Sequence, residues 1–400
     1  MVSGKKIILG ITGGIAAYKS AWLVRAFIKA GAEVRVIMTP EAKDFVTPLT
    51  LSTLSKNAVL SSFTQDEENE LWNNHVELGL WADFFVIAPA TANTLSKMAS
   101  GASDNLLLAT YLSAKCPVYF APAMDLDMYK HPTTQANFEK LQEFGNIMIP
   151  ATSGELASGL EGQGRMAEPD DIVAFINGDI QSKLPLYGKK VLITAGPTYE
   201  AIDPVRFIGN HSSGKMGYAL AQCAANLGSE VILISGPTAL KLDHPSVKII
   251  SIVSAQQLFE RVKTYFDGVN IAIAAAAVAD YRPADPAAQK IKKKSADFQI
   301  QLEPTEDSLK YMGAHKRDQY LIGFALETEN EVENAQDKLK RKNLDLIVLN
   351  SLNDSGAGFG TPTNKVTFID ARGGVYPQEL KPKEDVAKDI FNRIRQALYV

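Results

Sequence analysis

Cysteine is scarce in this chain of 400 residues: only Cys116 and Cys223 occur. That excludes a disulfide scaffold and a Cys-rich zinc site, and it fits a reducing cytosol. An excess of one charge is also missing. The 41 Lys and Arg stand against 45 Asp and Glu, a formal charge of −4, so there is no broad basic surface for a phosphate backbone and no nucleic-acid partner is expected. Long hydrophobic runs are absent too. The longest, Ile271 to Ala279, is about half a bilayer span and rich in Ala and Val, and it reads as a buried strand. Met1-Val-Ser-Gly-Lys-Lys6 leads straight into Ile7-Ile8-Leu9, without the apolar stretch and small-residue cleavage site of a signal peptide. A cytoplasmic chain with no membrane partner is expected.

What is present is a globular composition, 46% hydrophobic and 22% charged, in a chain too long for one ordinary core of about 100–200 residues. Short apolar runs alternate with longer amphipathic segments, the pattern of parallel strands covered on both faces by helices. Strands are expected at 6–10, 33–38, 84–88, 118–121 and 147–150, with helices such as Ala16–Ala30 and Thr134–Phe144 between them. The series restarts at 190–195 and continues through 231–235, 248–252, 271–278, 321–325, 346–349 and 366–369. Between the two series, the segment from Asn177 to Gly188 is polar at first and then punctuated by Pro and Gly, as a connection would be. The expected division is a domain over 1–180, a linker over 181–188 and a second domain over 189–400, both α/β and doubly wound.

The turn Gly10-Ile11-Thr12-Gly13-Gly14 follows a strand and opens a helix, so backbone N–H groups can face an anion there. Its spacing is not that of a dinucleotide fingerprint, and the second strand ends in Met38-Thr39-Pro40 where an acidic group for a ribose would stand. Asn73-Asn74-His75 precedes the strand that ends in Ala88-Pro89-Ala90-Thr91-Ala92-Asn93-Thr94. An imidazole at that place fits either a structural role or proton transfer near neutral pH. Ala121-Pro122-Ala123-Met124-Asp125 leaves another strand, and Gly162-Gln163-Gly164-Arg165-Met166 follows.

These motifs stand in the order found in flavin-dependent cysteine decarboxylases, and the first half resembles the phosphopantothenoylcysteine decarboxylase part of the bifunctional coenzyme A biosynthesis proteins. The resemblance implies a flavodoxin-like fold, FMN at an interface between subunits, and trimers. It implies His75 as catalytic base, and Gly13, Gly14, Ile15, Thr39, Ala90, Thr91, Asn93 and Thr94, with hydroxyls around Ser96, as FMN contacts. Met124, Asp125, Arg165 and Met166 would meet the substrate. Two departures stand out. The family's Pro-Ala-Met continues with Asn, whereas this chain has Asp125, a carboxylate that repels the substrate's own unless it is protonated or turned away. The family's clamp reads Ala-Cys-Gly, whereas this chain has Ala157-Ser158-Gly159, and a hydroxyl is a far weaker acid than a thiol. Ser158 then stands where the proton donor is expected.

In the second half, Thr194-Ala-Gly-Pro-Thr198 leads through Asp203-Pro-Val-Arg206 to Gly209-Asn210-His-Ser212-Ser213-Gly214-Lys215-Met216. This is one residue from a P-loop, but Met216 cannot hold Mg2+ as the P-loop hydroxyl does, and the strand ends well upstream. A different anion site, with Ser212, Ser213 and Gly214 donating at the start of a helix, is expected. Ala274 to Asp280 leaves a central strand ahead of the cluster Lys290-Ile-Lys-Lys-Lys294, which is a solvated face or, beside a nucleotide, a counter-charge for a triphosphate. Gly323-Phe324 closes another strand, and Lys338 and Lys342 stand at i, i+4 on one face of a helix.

This half resembles the phosphopantothenate-cysteine ligase of the same family, a Rossmann-like domain that dimerises. The resemblance covers roughly residues 5–385. It implies that Asn210, Arg206 and Ala276 bind phosphopantothenate and its acyl-cytidylate, that Lys290 carries the transfer step, and that Ser212, Gly214, Lys215, Asp280, Lys290, Phe324, Lys338 and Lys342 contact CTP with Mg2+. The substrates implied are 4′-phosphopantothenate, cysteine and CTP, and the assembly that the resemblance suggests is a homo-oligomer, a dodecamer. Two other readings are weighed: a ligase whose flavoprotein half is impaired in decarboxylation or mainly structural, and a nicotinamide oxidoreductase with two Rossmann-like domains.

Overall fold

The short apolar runs of the first half become parallel strands in the computed structural model, which describes residues 1–66, 71–292, 298–351, 353, 356, 358 and 360–399. Two units result, Met1–Gln181 and Ser182–Val400. In the first, β1 (Lys6–Ile11), β2 (Glu33–Met38), β3 (Phe84–Ala90), β4 (Val118–Pro122) and β5 (Ile147–Met148) form a parallel sheet in the order β2-β1-β3-β4-β5, the flavodoxin-like order. Both faces are covered. Ile7 and Leu9 point to the layer that holds Leu23, Phe27, Ile172 and Ile176. Ile8 points to the opposite layer, with Leu95, Met98 and Leu107. The alternation follows from the two-residue period of a strand.

Helix α1 (Ser20–Lys29) is entered through a separate 3-10 turn over Ile15–Lys19, so the single helix expected from Ala16 is in fact two pieces. Gly14, in front of that turn, is extended and offers no capping side chain. Further along are α2 (His75–Trp81), α3 (Ala92–Ser100), α4 (Leu126–Lys130), α5 (Pro132–Glu143) and α6 (Pro169–Ser182). The polar residues 177–182 are the last turns of α6, not loop: Ile172 and Ile176 are buried at i, i+4, and Asn177 accepts a hydrogen bond from the Val2 amide at 2.8 Å. Ahead of α6, an antiparallel hairpin joins β6 (Thr152–Glu155) to β7 (Glu161–Arg165).

The second unit contains β8 (Lys190–Ala195), β9 (Glu230–Ser235), β10 (Val247–Ser251), β11 (Ile271–Ala274), β12 (Tyr320–Glu327), β13 (Leu346–Ser351), β14 (Val366–Asp370) and β15 (Val375–Pro377). Their order is β10-β9-β8-β11-β12-β13-β14-β15. The first six are parallel in the doubly wound order, and β14 and β15 add antiparallel strands at one edge. Helices α7 (Lys215–Asn226), α8 (Glu331–Arg341) and α9 (Lys383–Leu398) cover it. The apolar run expected as a strand over 271–278 is regular strand only to Ala274, with an isolated parallel bridge from Ala277 to Pro197 beyond it. Beyond Ala274 the backbone stays against the end of β8 and the turn that follows: the Ala275 amide donates to Thr194 O at 3.2 Å, the Ala276 amide to Thr194 Oγ1 at 3.2 Å and the Ala277 amide to Gly196 O at 2.9 Å. No helix among the described residues is long and apolar enough to cross a membrane.

In each sheet the strand order reverses beside the first strand, between β1 and β3 and between β8 and β11. The carboxyl ends of the strands open a crevice at such a point.

Candidate functional site

At the first crevice, Thr12 ties the two switch-point strands together: its hydroxyl donates to Pro89 O at 2.8 Å and accepts from the Thr91 amide at 3.1 Å. Gly13 is required by packing, because a Cβ there would lie 2.6 Å from Glu41 Cβ. Thr91 caps α3, and its hydroxyl bonds that of Thr94. Thr39, by contrast, is 4% exposed and its hydroxyl has no partner. A buried hydroxyl left without a bond is unfavourable by about 1–3 kcal/mol, and here it stands at the end of β2, where Thr39 N bonds Ile11 O at 2.9 Å. Thr39 and the uncapped turn after Gly14 make a place suited to a phosphate. Ile15 is 59% exposed.

His75 begins α2. Asn74 caps that helix by accepting from Val76 N at 3.0 Å and Glu77 N at 3.3 Å. The imidazole stands edge-on to Phe63 and Trp72, with ring centroids 6.3 and 5.8 Å away, and its Nδ1 is buried without a partner. An unpartnered ring nitrogen in an aromatic setting remains available to a ligand.

Asp125 is turned onto its own helix. Its Oδ1 accepts from Leu126 N at 2.7 Å as the cap of α4, where a carboxylate is favoured. The β6–β7 hairpin rests on this turn through two glycines. A Cβ on Gly162 would lie 2.6 Å from Leu126 Cδ1, and one on Gly164 would lie 2.4 Å from Met124 O. Gly164 also has φ +142°, in the range that favours glycine. Arg165 donates to Glu168 at 2.8 Å, and the buried Lys19 reaches the same oxygen at 2.8 Å. The Lys19 bond, chiefly, holds the Glu168 carboxyl below its ordinary range. Met166 is 1% exposed and packs in the core, so its side chain does not face the crevice as expected of a substrate contact. Ser158 is exposed at the hairpin tip, its hydroxyl 3.5 Å from Leu160 N.

Neither cysteine replaces a clamp thiol. Burial pushes Cys223 up to about 11 and also raises Cys116. At pH 8 the folded protein is therefore expected to react with an aromatic disulfide reagent about 100-fold more slowly than free cysteine, releasing both thiols only in denaturant. Rapid labelling of the native protein would contradict this.

The second crevice deepens into a cavity of about 690 Å³ whose lining includes Asn210, Ser212, Gly214, Lys215, Ala276, Asp280, Phe324, Lys338 and Lys342. Helix α7 enters close to β8, because Gly217 leaves no room for a Cβ, which would meet Ala195 Cβ at 2.4 Å. Its N-terminus has Gly214 at φ +79° and no capping side chain, so its first N–H groups face the cavity. The Asn210 amide donates to Ala277 O at 3.2 Å and Val278 O at 3.0 Å, fixing the loop after β11. Lys338 donates to Phe324 O at 2.9 Å, and burial lowers its pKa. Lys342 pairs with Asp307. Burial works against the Asp307 charge, yet the Lys342 bond and the Lys310 amide outweigh it and hold the carboxyl low.

Arg206 and Lys290 are not in this lining. Arg206 is held by Asp203, whose buried carboxylate accepts from the Val205, Arg206 and Ile291 amides at 2.8, 2.9 and 3.1 Å and from the guanidinium at 3.0 Å. Burial opposes the Asp203 charge, but these donors hold the carboxyl below its ordinary value. Asp203 thereby fixes the chain at Ile291, one residue after Lys290. Lys293 and Lys294 of the expected cluster lie outside the described residues. Several cavity residues carried no signal in spacing: Glu306, Asp307, Glu327, Asn364 and Lys383 come from four separate segments.

Two family models match the chain: "Flavoprotein" over residues 1–181 and "DNA/pantothenate metabolism flavoprotein C-terminal domain" over residues 186–398. The coenzyme A biosynthesis bifunctional protein CoaBC of Bacillus subtilis is 43% identical over 396 residues, 98% of this chain and 97% of that protein. Its counterpart in Haemophilus influenzae is 43% identical over 394 residues, 98% of each. A cysteine/cysteine sulfinic acid decarboxylase from an unknown prokaryotic organism is 53% identical over 354 residues, covering 87% of this chain and 98% of that protein. A crystal structure of the C-terminal domain of CoaBC is 44% identical, covers 54% of this chain and 99% of that domain, and has a TM-score of 0.47. With both halves matched in order and identity sustained from end to end, the chain belongs to the family of bifunctional coenzyme A biosynthesis proteins.

Proposed function

We propose that the chain runs two consecutive steps: its second half joins 4′-phosphopantothenate to cysteine at the expense of CTP, and its first half decarboxylates the product to 4′-phosphopantetheine. The observation that carries this reading is the pairing, in one chain, of an anion-ready crevice and an unpartnered His75 ring nitrogen in the first unit with a large cavity lined by Asn210, Lys338 and Lys342 in the second.

In the ligase half, a carboxylate is a poor electrophile until one of its oxygens attacks the α-phosphate of CTP and pyrophosphate leaves. The N-terminus of α7, Lys338 and Lys342 supply fixed positive charge for that step, and Asn210 holds the acid. Cysteine's amine then attacks the acyl carbon, CMP leaves, and Lys290 is the cation for this transfer. Among the described residues there is no cluster of three metal-ligating side chains. Mg2+ fits as an ion that enters with the triphosphate and borrows a carboxylate such as Asp280.

In the decarboxylase half, Gly13, Gly14, Thr39 and the Ala90–Thr94 loop would hold FMN. Bound there, a flavin supplies a two-electron acceptor for the thiol end of the substrate and returns the electrons afterwards. His75 Nδ1 has no other bond to give up before handling a proton. Asp125, committed to α4, directs its charge at a helix N-terminus and away from a substrate carboxylate, while Arg165 keeps donors beyond the one Glu168 uses. A cytoplasmic homo-oligomer belongs to the same reading: Ile15, Tyr18 and Trp22 are 59%, 52% and 63% exposed at helical spacing, the signature of a covered face.

Asp125 and Ser158, together with the relative named for cysteine and cysteine sulfinic acid, favour a second substrate reading, in which the first half acts on one of those small acids. Purified protein offered phosphopantothenoylcysteine should release CO2 and form phosphopantetheine. If an unsaturated thiol accumulates and Ser158→Cys restores the saturated product, the serine is the block. Release of CO2 from cysteine or its sulfinate alone would establish the second reading instead.

A further inference from the structure

One end of the ligase-half cavity carries charge that the steps above do not use. Lys383, the first residue of α9, is 4% exposed, and its ammonium donates to Gly358 O at 3.1 Å and Thr361 O at 2.6 Å. Lys215, the first residue of α7, reaches the same glycine turn, donating to Gly360 O at 2.8 Å. Burial first, and then the Lys215 ammonium, lower the pKa of Lys383. The start of α7 has no side-chain cap, whereas the first N–H of α9, that of Lys383, donates to Pro362 O at 3.0 Å. Beside them Asn364 is 1% exposed, with its side-chain carbonyl oxygen buried and unpartnered. Lys215, Lys383 and Asn364 all line the cavity.

The cavity is polarised. Its carboxylates Glu327, Asp280 and Asp307 act on Lys338, whereas the carboxylate that acts on Lys383 is Glu384, outside the lining. Two neighbouring cations, the uncapped start of α7 and a buried side-chain oxygen of Asn364 without a partner form an arrangement complementary to a compact dianion once that amide is turned. An amide turned half over presents its NH2 to such an ion.

We propose that Lys383 and Asn364, with Lys215, form a phosphate subsite that sets specificity in the ligase reaction. The group bound is a phosphate with at least two negative charges, supplied by the nucleotide's terminal phosphate or by the phosphate tail of the acid. This rests on the ligase reading given above.

Asn364→Asp keeps the shape and adds a negative charge at this end. The expected result is a rise of at least about tenfold in one KM with kcat changed less than about threefold, the pattern of lost uniform binding. Lys383→Met should do the same, and Lys383→Arg should recover most of it. A rise confined to CTP assigns the terminal phosphate. A rise confined to phosphopantothenate, with the unphosphorylated acid unaffected, assigns the tail. CO2 release by the first half of the same preparations serves as the folding control, and Asn364→Ser replaces Asn364→Asp if the latter does not fold. Tripolyphosphate gives an independent readout: it should raise the melting temperature of the wild type and not that of Lys383→Met. Both KM values within twofold of wild type in the folded variants, with tripolyphosphate protection intact, overturn the subsite. Absence of ligated product from the wild type refutes the ligase reading instead, and the tripolyphosphate comparison still judges the subsite.

Discussion

Replacing His75 by asparagine is expected to slow decarboxylation by about 10³-fold, within the range of about 10²–10⁴ for a lost general acid or base, while ligase turnover stays within about twofold. The imidazole is the group with nothing else to do: its Nδ1 is buried without a partner between Phe63 and Trp72. The cap of α2 belongs to Asn74 and not to His75, so the substitution leaves the helix start intact. Asparagine preserves polarity and approximate reach but cannot exchange a proton near neutral pH. CO2 release from phosphopantothenoylcysteine and CMP release from the ligase reaction, measured on one preparation, separate the two effects. A loss below about tenfold would assign His75 a packing role.

Gly236→Ala should remove ligase activity by distorting the second crevice. A Cβ at Gly236 would lie 1.7 Å from Pro197 O and 2.9 Å from its carbonyl carbon. The obstacle is backbone and not a flexible side chain, so the turn after β8 must move. That turn is anchored at both ends: Gly236 N donates to Ala195 O at 2.9 Å, and Thr198 Oγ1 accepts from Ala279 N at 2.9 Å. Moving it displaces the loop after β11 that Asn210 also holds. Backbone overpacking of this kind destabilises by about 3 kcal/mol or more, which for a unit of this size corresponds to roughly 10 °C in melting temperature. Calorimetry with a ligase assay checks it. An unchanged melt with full CMP release would mean that the turn has slack the packing does not display.

The parallel strands of both units were legible because strands buried on two faces are short, uninterrupted apolar runs, and Phe84–Ala90 is buried at every position. The hairpin Thr152–Glu155 with Glu161–Arg165 was not, since neither strand has an apolar face and the glycines serve a close approach rather than a turn. The run after Ala274 misled for a related reason: Ala275 to Ala277 are apolar enough for a strand, yet only Ala275 bonds a carbonyl of β8, while Ala276 bonds a threonine side chain and Ala277 the turn carbonyl of Gly196. Site roles were supplied by resemblance more than by spacing. Asp125 posed a charge conflict in the sequence, and what the sequence did not display is that one of its oxygens caps α4. Asp203 and Lys383 had no local signal, because Asp203 meets Ile291 across 88 residues and Lys383 meets Thr361 across 22.

The serine at the hairpin tip and the suppressed thiols have a joint consequence for survival under oxidants. Peroxide reacts with thiolates, first to a reversible sulfenic acid and then irreversibly. A clamp built on cysteine places its most reactive sulfur on an exposed, moving loop. Here the exposed residue at the tip of the β6–β7 hairpin is Ser158, and burial raises the pKa of both Cys116 and Cys223, which disfavours their thiolates. The exposed hairpin of the first unit thus offers peroxide no thiol to oxidise.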